Sequence, residues 1–437
     1  MGSARGLGDF QTPPALAEAV LALLPRRRWG RVLEPTCGTG TFLAAAARFG
    51  AETIGVEIQP AYAARARAHG EVITGDVFRL DLAALRWRTG GDLLVVGNPP
   101  WVTAAGLTRL GASNGPERRN VHGLKGLAAR TGAANFDLAE AVWHKLITDL
   151  APQRPTIALL CKTTVARNVL RWCAECRVPV AGAALHLLDA RRWFGAEVSA
   201  GLFVLDLRPG TAYTCPVSDG TTMGVVGGRL VADLAAYVRA GSADGACHLD
   251  WRQGIKHDAA AVMEVTDADV EPEYLFPLLK SADLARGAGP SRWMVVPQRT
   301  LGEDTAALAA RAPRLWRYLH THAARLDGRR SSIYRGRPRF AIFGVGPYAF
   351  APWKVAVCGL HKTPEFRVVG PVGGRPVVFD DTCYFLPFDS AEDAHRAGAV
   401  LRSSAARDLL DALMFRDAKR PVTKRLLQRL DLNALGR

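Results

Sequence analysis

Between Gly30 and Leu207 short apolar runs alternate with helix-like segments. The runs are RVLEP, ETIGVE, EVITGD, DLLVVGNPP, TIALLCK and SAGLFVLDL, and the helical segments include TFLAAAARFG, AYAARARAHG and NFDLAEAVWHKLITDL. Few charges interrupt the apolar runs, the pattern of strands in a parallel sheet covered on both faces. Alternation of this kind predicts a doubly wound α/β domain. After LRPG, which ends at Gly210, the rhythm breaks. Short β-rich pieces (SRWMVVPQ, RFAIFGVG, WKVAVCGL, FRVVGPVGGRPVVFDDTCYFL) mix with a few helices and many Gly or Pro turns. The reading is an α/β domain over residues 1–209 and a smaller α+β domain over 210–437.

The length of 437 residues agrees with two cores rather than one. No apolar stretch reaches the roughly 18 residues that span a bilayer, and MGSARGLGDF lacks the apolar core of a signal peptide. A cytoplasmic protein with no membrane partner is expected, monomeric or weakly dimeric. The formal charge of +15 suits a polyanionic partner. The eight cysteines are expected to be reduced. CAEC (Cys173 and Cys176) offers half a zinc site, and no second CxxC completes it, so no metal is expected.

The segment VLEPTCGTGTFL sets an acid and a glycine turn between a strand and a helix. Glycines there let the backbone approach a ligand at the helix N-terminus. A pyrophosphate loop needs a third glycine, absent here, and Glu34 would repel a phosphate. A carboxylate suits a ligand that carries an ammonium and a sulfonium. The next strand ends in GVEIQP, with Glu57 placed to accept from two ribose hydroxyls. The third ends in GDVF, where Asp76 accepts from an adenine amino group.

With these residues the chain resembles the class I S-adenosylmethionine-dependent methyltransferases, and within them the gamma-class, TaqI-like DNA adenine-N6 enzymes. The resemblance implies a Rossmann-like catalytic domain and places Glu34, Gly38 and Gly40 at the methionine end of S-adenosyl-L-methionine. It gives Glu57 the ribose and Asp76 the adenine, and adds Pro35, Cys37, Ile58 and Val77 to the cofactor-binding residues; Val77 stands where the family has Phe. Thr12 in DFQTPP matches a threonine that contacts the cofactor in the family.

NPPW, directly after DLLVVG, is the family's catalytic motif type. An exocyclic base amine is a poor nucleophile, because its lone pair is delocalised into the ring. The Asn98 side-chain oxygen and the Pro99 carbonyl can accept both amino protons and draw the nitrogen toward a tetrahedral form. Pro99 and Pro100 lock the backbone that aims them. Trp101, where the family has Tyr or Phe, is expected to stack on an adenine flipped out of the duplex, worth about 1–3 kcal/mol. Asn135 and Phe136 begin the helix after the motif and are expected to shape the pocket. The family's second stacking aromatic has no match in CKTTVARNVLRW before Trp172.

The order of cofactor loop, catalytic corner and long C-terminal region is the gamma-class order, with target recognition last. The resemblance implies double-stranded DNA as partner, and a restriction or phage-defence nuclease as companion. RLDGRRSSIYRGRPRF, with Arg329, Arg330, Tyr334, Arg335 and Arg337, is expected to follow a phosphate backbone. FRDAKRPVTKRLLQRL and WRQGIKHD are weaker candidates. Two readings compete: an RNA adenine, or other amide or amine, N-methyltransferase, and a nucleic-acid-binding module on a dead methyltransferase fold.

Overall fold

The computed structural model describes residues 11–102 and 137–436. They form two compact units, Met1–Leu234 and Ala235–Arg437. The first holds a seven-stranded sheet built from β1 (Trp29–Glu34), β2 (Glu52–Glu57), β3 (Glu71–Thr74), β4 (Asp92–Gly97), β5 (Thr156–Lys162), β6 (Gly182–Leu188) and β7 (Ala200–Asp206). Their order across the sheet is β3-β2-β1-β4-β5-β7-β6. The β1, β2, β3, β4 and β5 pairings are parallel, and β7 runs antiparallel between β5 and β6. This is the doubly wound α/β class expected, with an antiparallel strand added near one edge. β5 and β7 are buried almost throughout, which is why TIALLCK and SAGLFVLDL read as uninterrupted apolar runs. β6 lies at the edge with mixed exposure, so its sequence gives neither a continuous run nor a clean alternation.

Helices α1 (Pro14–Ala22), α2 (Thr41–Ala46), α3 (Pro60–Ala66), α4 (Leu138–Leu150), α5 (Thr163–Glu175) and α6 (Ala190–Phe194) belong to the same unit. Proline stands at the first helical position of α1 and α3, where its missing N–H costs no hydrogen bond. The Asp137 carboxylate caps α4 by accepting from the Ala139 N–H at 3.1 Å.

The first unit runs past the expected boundary at residue 209. A small antiparallel sheet of β8 (Thr214–Pro216), β9 (Thr222–Val226) and β10 (Arg229–Val231) belongs to it. Thr211 and Val217 bridge to Val180 and Leu185, and the Tyr213 hydroxyl donates to the Val178 carbonyl at 2.9 Å. Those hydrogen bonds tie residues 211–217 to the β6 edge, so the division falls after Leu234 rather than at Gly210.

The second unit is α+β, as its sequence implies. It contains β11 (Arg252–Gln253), β12 (Glu264–Val265), β13 (Leu275–Leu279), β14 (Arg292–Val295), β15 (Trp353–Cys358), β16 (Arg367–Val369), β17 (Val378–Phe379) and β18 (Cys383–Phe388). They form two four-stranded sheets, β11-β18-β15-β16 and β12-β14-β13-β17. RFAIFGVG, expected as a strand, is irregular: Phe340 and Ile342 are buried, and Phe343 makes an isolated bridge to Lys256. Trp251 and His257 of WRQGIKHD are buried in this unit, so those two side chains do not form a surface for a duplex. Among the described residues no helix is long and apolar enough to cross a membrane.

The basic C-terminal segment is held by ion pairs. Lys424 pairs with Asp250, Arg416 with Asp411, and Arg429 makes a two-pronged contact with Asp244 at 2.8 and 2.6 Å. The Asp244 side chain is 1% exposed and also accepts from the Tyr237 hydroxyl. Removing the guanidinium would leave a buried carboxylate without its cation. Arg429→Met is expected to destabilise this unit by about 3–5 kcal/mol. Hydrogen–deuterium exchange over Ala235–Asp244 and Gln428–Leu435 reads the change, and unaltered protection would show that the pair contributes little.

Candidate active site

β1 ends at Glu34 and the chain turns through Gly38 (φ +53°) and Gly40 (φ +85°) into α2. Both glycines hold left-handed conformations that side chains disfavour. The turn is fastened to β2, since the Cys37 N–H donates to the Val56 carbonyl at 2.8 Å. The Glu57 carboxylate at the end of β2 accepts from the Gly38 N–H and the Gln59 N–H, each at 2.8 Å. A carboxylate has about four acceptor sites, so these two bonds orient Glu57 without exhausting it. The N-terminal segment lies over the same turn: the Gln11 side-chain oxygen accepts from the Thr39 N–H and hydroxyl. Thr12 is the next residue.

Glu34 is buried, and the Leu43 N–H donates to its carboxylate at 3.1 Å. Burial raises its pKa well above the usual range; the Leu43 bond opposes that shift and the nearby Glu57 charge adds to it. A buried acid of this kind favours a bound cation. The Cys37 thiol is also pushed up, by burial first and then by Glu34 and Glu57. At the end of β3, Asp76 accepts from the Phe78 N–H at 3.0 Å. Ile58 beside Glu57 is 43% exposed, and Val77 is buried. An exposed isoleucine next to an anchored acid suits the flat face of a base above a ribose. These residues fit the group that the sequence implies.

The Asn98–Trp101 corner leaves β4 beside this turn. A Cβ placed on Gly97 would stand 3.5 Å from the Glu34 Cγ, so the ends of β1 and β4 lie side by side. Asn98 and Pro100 are half-buried and Pro99 is buried. Trp101 is 8% exposed; its indole N–H donates to the Leu160 carbonyl at 3.2 Å, and its ring meets Phe194 edge to face at 5.1 Å. Phe194, on α6, supports the Trp101 ring, a contact that no local motif announces. Trp172 instead packs on His144, with ring centroids 4.4 Å apart. Lys162, at the end of β5, donates to the Trp101 carbonyl. Asn135 and Phe136 lie outside the described residues.

The arginine-rich loop of the second unit divides into two kinds of residue. Arg329 serves the fold: its guanidinium donates to the carbonyls of Leu326, His257 and Ala341 and covers the Tyr334 ring at 3.8 Å. That removes Arg329 from the expected phosphate contacts and makes half-buried Tyr334 its packing partner. Arg330, Arg335 and Arg337 are exposed. Among the described residues no group of three or more His, Cys, Asp or Glu could hold a metal ion.

No family model matches the chain. It is 36% identical over 466 aligned positions, 98% of its own length and 97% of the other's, to the type II methyltransferase M.NspV of Nostoc sp.. A type II methyltransferase of Thermus thermophilus is 37% identical over 103 residues, 23% of this chain and 22% of that protein. Among solved structures, the type IIL restriction–modification enzyme MmeI in complex with DNA matches with a TM-score of 0.61 at 12% identity. That match covers 95% of this chain, which spans 64% of the length of MmeI. It shows a shared fold.

The raised pKa of Glu34 has a pH signature. A carboxyl that holds its proton more tightly when folded adds stability below the ordinary carboxylate pKa of about 4.3, and that stability is lost as pH rises through the raised value. A cationic ligand favours the ionised form, so its affinity should rise over the same interval. Melting temperatures of wild type and Glu34→Gln across pH, with and without S-adenosylmethionine, test both. Wild type should lose stability relative to the variant as pH rises, and the cofactor should restore it. Parallel profiles would mean that Glu34 is ionised without a ligand.

Proposed function

The chain belongs to the type II methyltransferases, and from that premise we propose that it methylates the N6 amine of an adenine flipped out of a specific DNA sequence, as a gamma-class enzyme. S-adenosylmethionine is the methyl donor and, when bound, supplies a methyl group on a sulfonium, open to in-line attack. One observation carries the reading: the NPPW corner emerges at the end of β4 directly beside Glu34 at the end of β1. The adjacent strand ends support a single cleft shared by the acceptor pair for an amine and the acid for an aminoacyl cation.

Each residue has a separable task. Glu34 receives the cationic end of the donor, and Glu57 receives the ribose hydroxyls from a carboxylate already oriented by two main-chain N–H groups. Ile58 and Val77 bound the adenine of the donor, with Asp76 at its amino group; Pro35, Cys37, Gly38, Gly40 and Thr12 complete the cleft. The Asn98 oxygen and Pro99 carbonyl accept hydrogen bonds from the two N–H groups of the target amine, which raises its nucleophilicity and holds it in line. The N–C bond forms as the donor leaves as a neutral thioether, and one proton then passes from the methylated amine to solvent. Trp101 bounds the flipped base on one side, its ring backed by Phe194. Fixed acceptors of this kind need no reorganisation during transfer. No general base is required before attack.

The unit Ala235–Arg437 is proposed to recognise the target, with Arg330, Arg335 and Arg337 on phosphates. In a restriction–modification pair, methylation protects the host's copies of a site from a nuclease that reads the same sequence.

Asn98→Ala should bind the cofactor with near-wild-type affinity while kcat falls by about 10²–10³-fold, as for loss of one oriented hydrogen-bonding group at a transition state. Mass spectrometry of nucleosides from methylated DNA should identify N6-methyladenine. Wild-type turnover by the variant would remove the corner from the mechanism, and a different modified base would reassign the target.

A second experiment addresses the partner. Each phosphate contact releases condensed counterions, so Arg335→Ala with Arg337→Ala should flatten the slope of log affinity against log salt by roughly 2. The loss should be alike on cognate and unrelated duplexes, because phosphate contacts carry no sequence information. An unchanged slope in a salt titration would make the loop a solvated surface.

A further inference from the structure

Lys162 is the last residue of β5, and its ammonium lies at the meeting point of three segments. It donates to the Trp101 carbonyl at 2.9 Å and to the Asp137 carboxylate at 2.6 Å. The side chains of Lys162 and Asp137 are only 23% and 9% exposed. We infer that Lys162 is a positioning residue of the methyl-transfer site, whose ammonium holds the exit of the Asn98–Trp101 corner where the two acceptors aim at the target amine. The inference rests on the amine-methylating reading given above.

The corner has a stiff interior and a weak attachment. Ladder pairing of β4 with β5 ends at Gly97 opposite Leu159, and neither Pro99 nor Pro100 has an N–H to bond with a neighbour. What fixes the end of the corner is a set of contacts around Trp101. Its indole N–H bonds to Leu160, its carbonyl takes the Lys162 ammonium, and the Val102 carbonyl accepts from the Leu138 N–H at 2.8 Å. The contact from Lys162 is charge-assisted, and such bonds are roughly twice as strong as neutral ones.

Asp137 makes the arrangement a junction. One of its carboxylate oxygens caps α4 and the other receives Lys162, so β5, the corner and α4 are joined through a single ion pair. Two prolines transmit any displacement of Trp101 back to Asn98 and Pro99 with little damping. A misplacement of about 1 Å at reacting groups costs on the order of 100-fold in rate. Lys162 does not touch the amine; it acts through Trp101.

The test compares wild type with Lys162→Met, Lys162→Arg, Asp137→Asn and the double variant Asp137→Asn/Lys162→Met. Asparagine remains a competent helix cap, and the double variant leaves no unpaired buried charge. Measurements are the single-turnover methyl-transfer rate on a duplex that wild type methylates, cofactor and duplex dissociation constants, and melting temperature. Lys162→Met and the double variant should lose about 10- to 100-fold in rate, with both dissociation constants within about threefold of wild type. Asp137→Asn retains the bond to the Trp101 carbonyl and should stay within about fivefold, and Lys162→Arg should recover part of the rate.

A double variant within about threefold of the wild-type rate would overturn the inference. So would an Asp137→Asn variant as slow as the double variant, rates that fall only in step with cofactor affinity, or loss of folding in both lysine variants. The identity of the base that wild type modifies is a separate result. Modification of another base would overturn the adenine reading while leaving the effect of Lys162 measurable on that base.

Discussion

The parallel pairing of β1 with β4 is the constraint on which the site depends. Strand order reverses at this pair, with β2 and β3 lying to one side and β5, β7 and β6 to the other. The connections on the two halves leave a crevice at the carboxyl ends of the two central strands. The register that sets Leu33 opposite Val95 brings Glu34 and Asn98 to that crevice together. Neither residue could be moved to another strand end without losing the other. A Cβ on Gly97 would lie within van der Waals reach of Glu34 and Pro35, which shows how closely the two strand ends approach.

Much of this was legible in the sequence because the signals are local. The glycine turn after VLEP, the acids that end β1, β2 and β3, and the NPPW corner all carry their meaning within a few residues. The central strands were legible because burial on both faces writes them as apolar runs. β6 was not, because an edge strand with one wet face lacks that signature. The antiparallel direction of β7 was also hidden, since an apolar run has no polarity. Phe194 and Lys162 carry no local signal: each contacts Trp101, about 90 and 60 residues earlier in the chain, and neither sits in a recognisable motif.

Charge proved less legible than apolar pattern. The arginine-rich loop and the basic C-terminal segment look alike as strings, yet Arg329 and Arg429 are tied into the fold while Arg335 and Arg337 face solvent. A guanidinium has five donors and satisfies main-chain carbonyls as readily as phosphates. Only the position of carbonyls and carboxylates in space separates the two uses. Trp251 likewise reads as an interface aromatic beside Arg252 and lies fully buried.

The turn proposed to receive the methyl donor contains a cysteine, Cys37. A thiolate in that place would be the strongest nucleophile near the sulfonium, and its attack would consume the donor and alkylate the protein. Burial, with Glu34 and Glu57 nearby, keeps Cys37 as the thiol, whose reactivity is far lower. Burial is the larger cause, and the two acids proposed to receive the donor act in the same direction on the thiol. Opening this turn to water would remove the largest cause of the shift and return Cys37 toward an ordinary thiol, with a larger thiolate fraction.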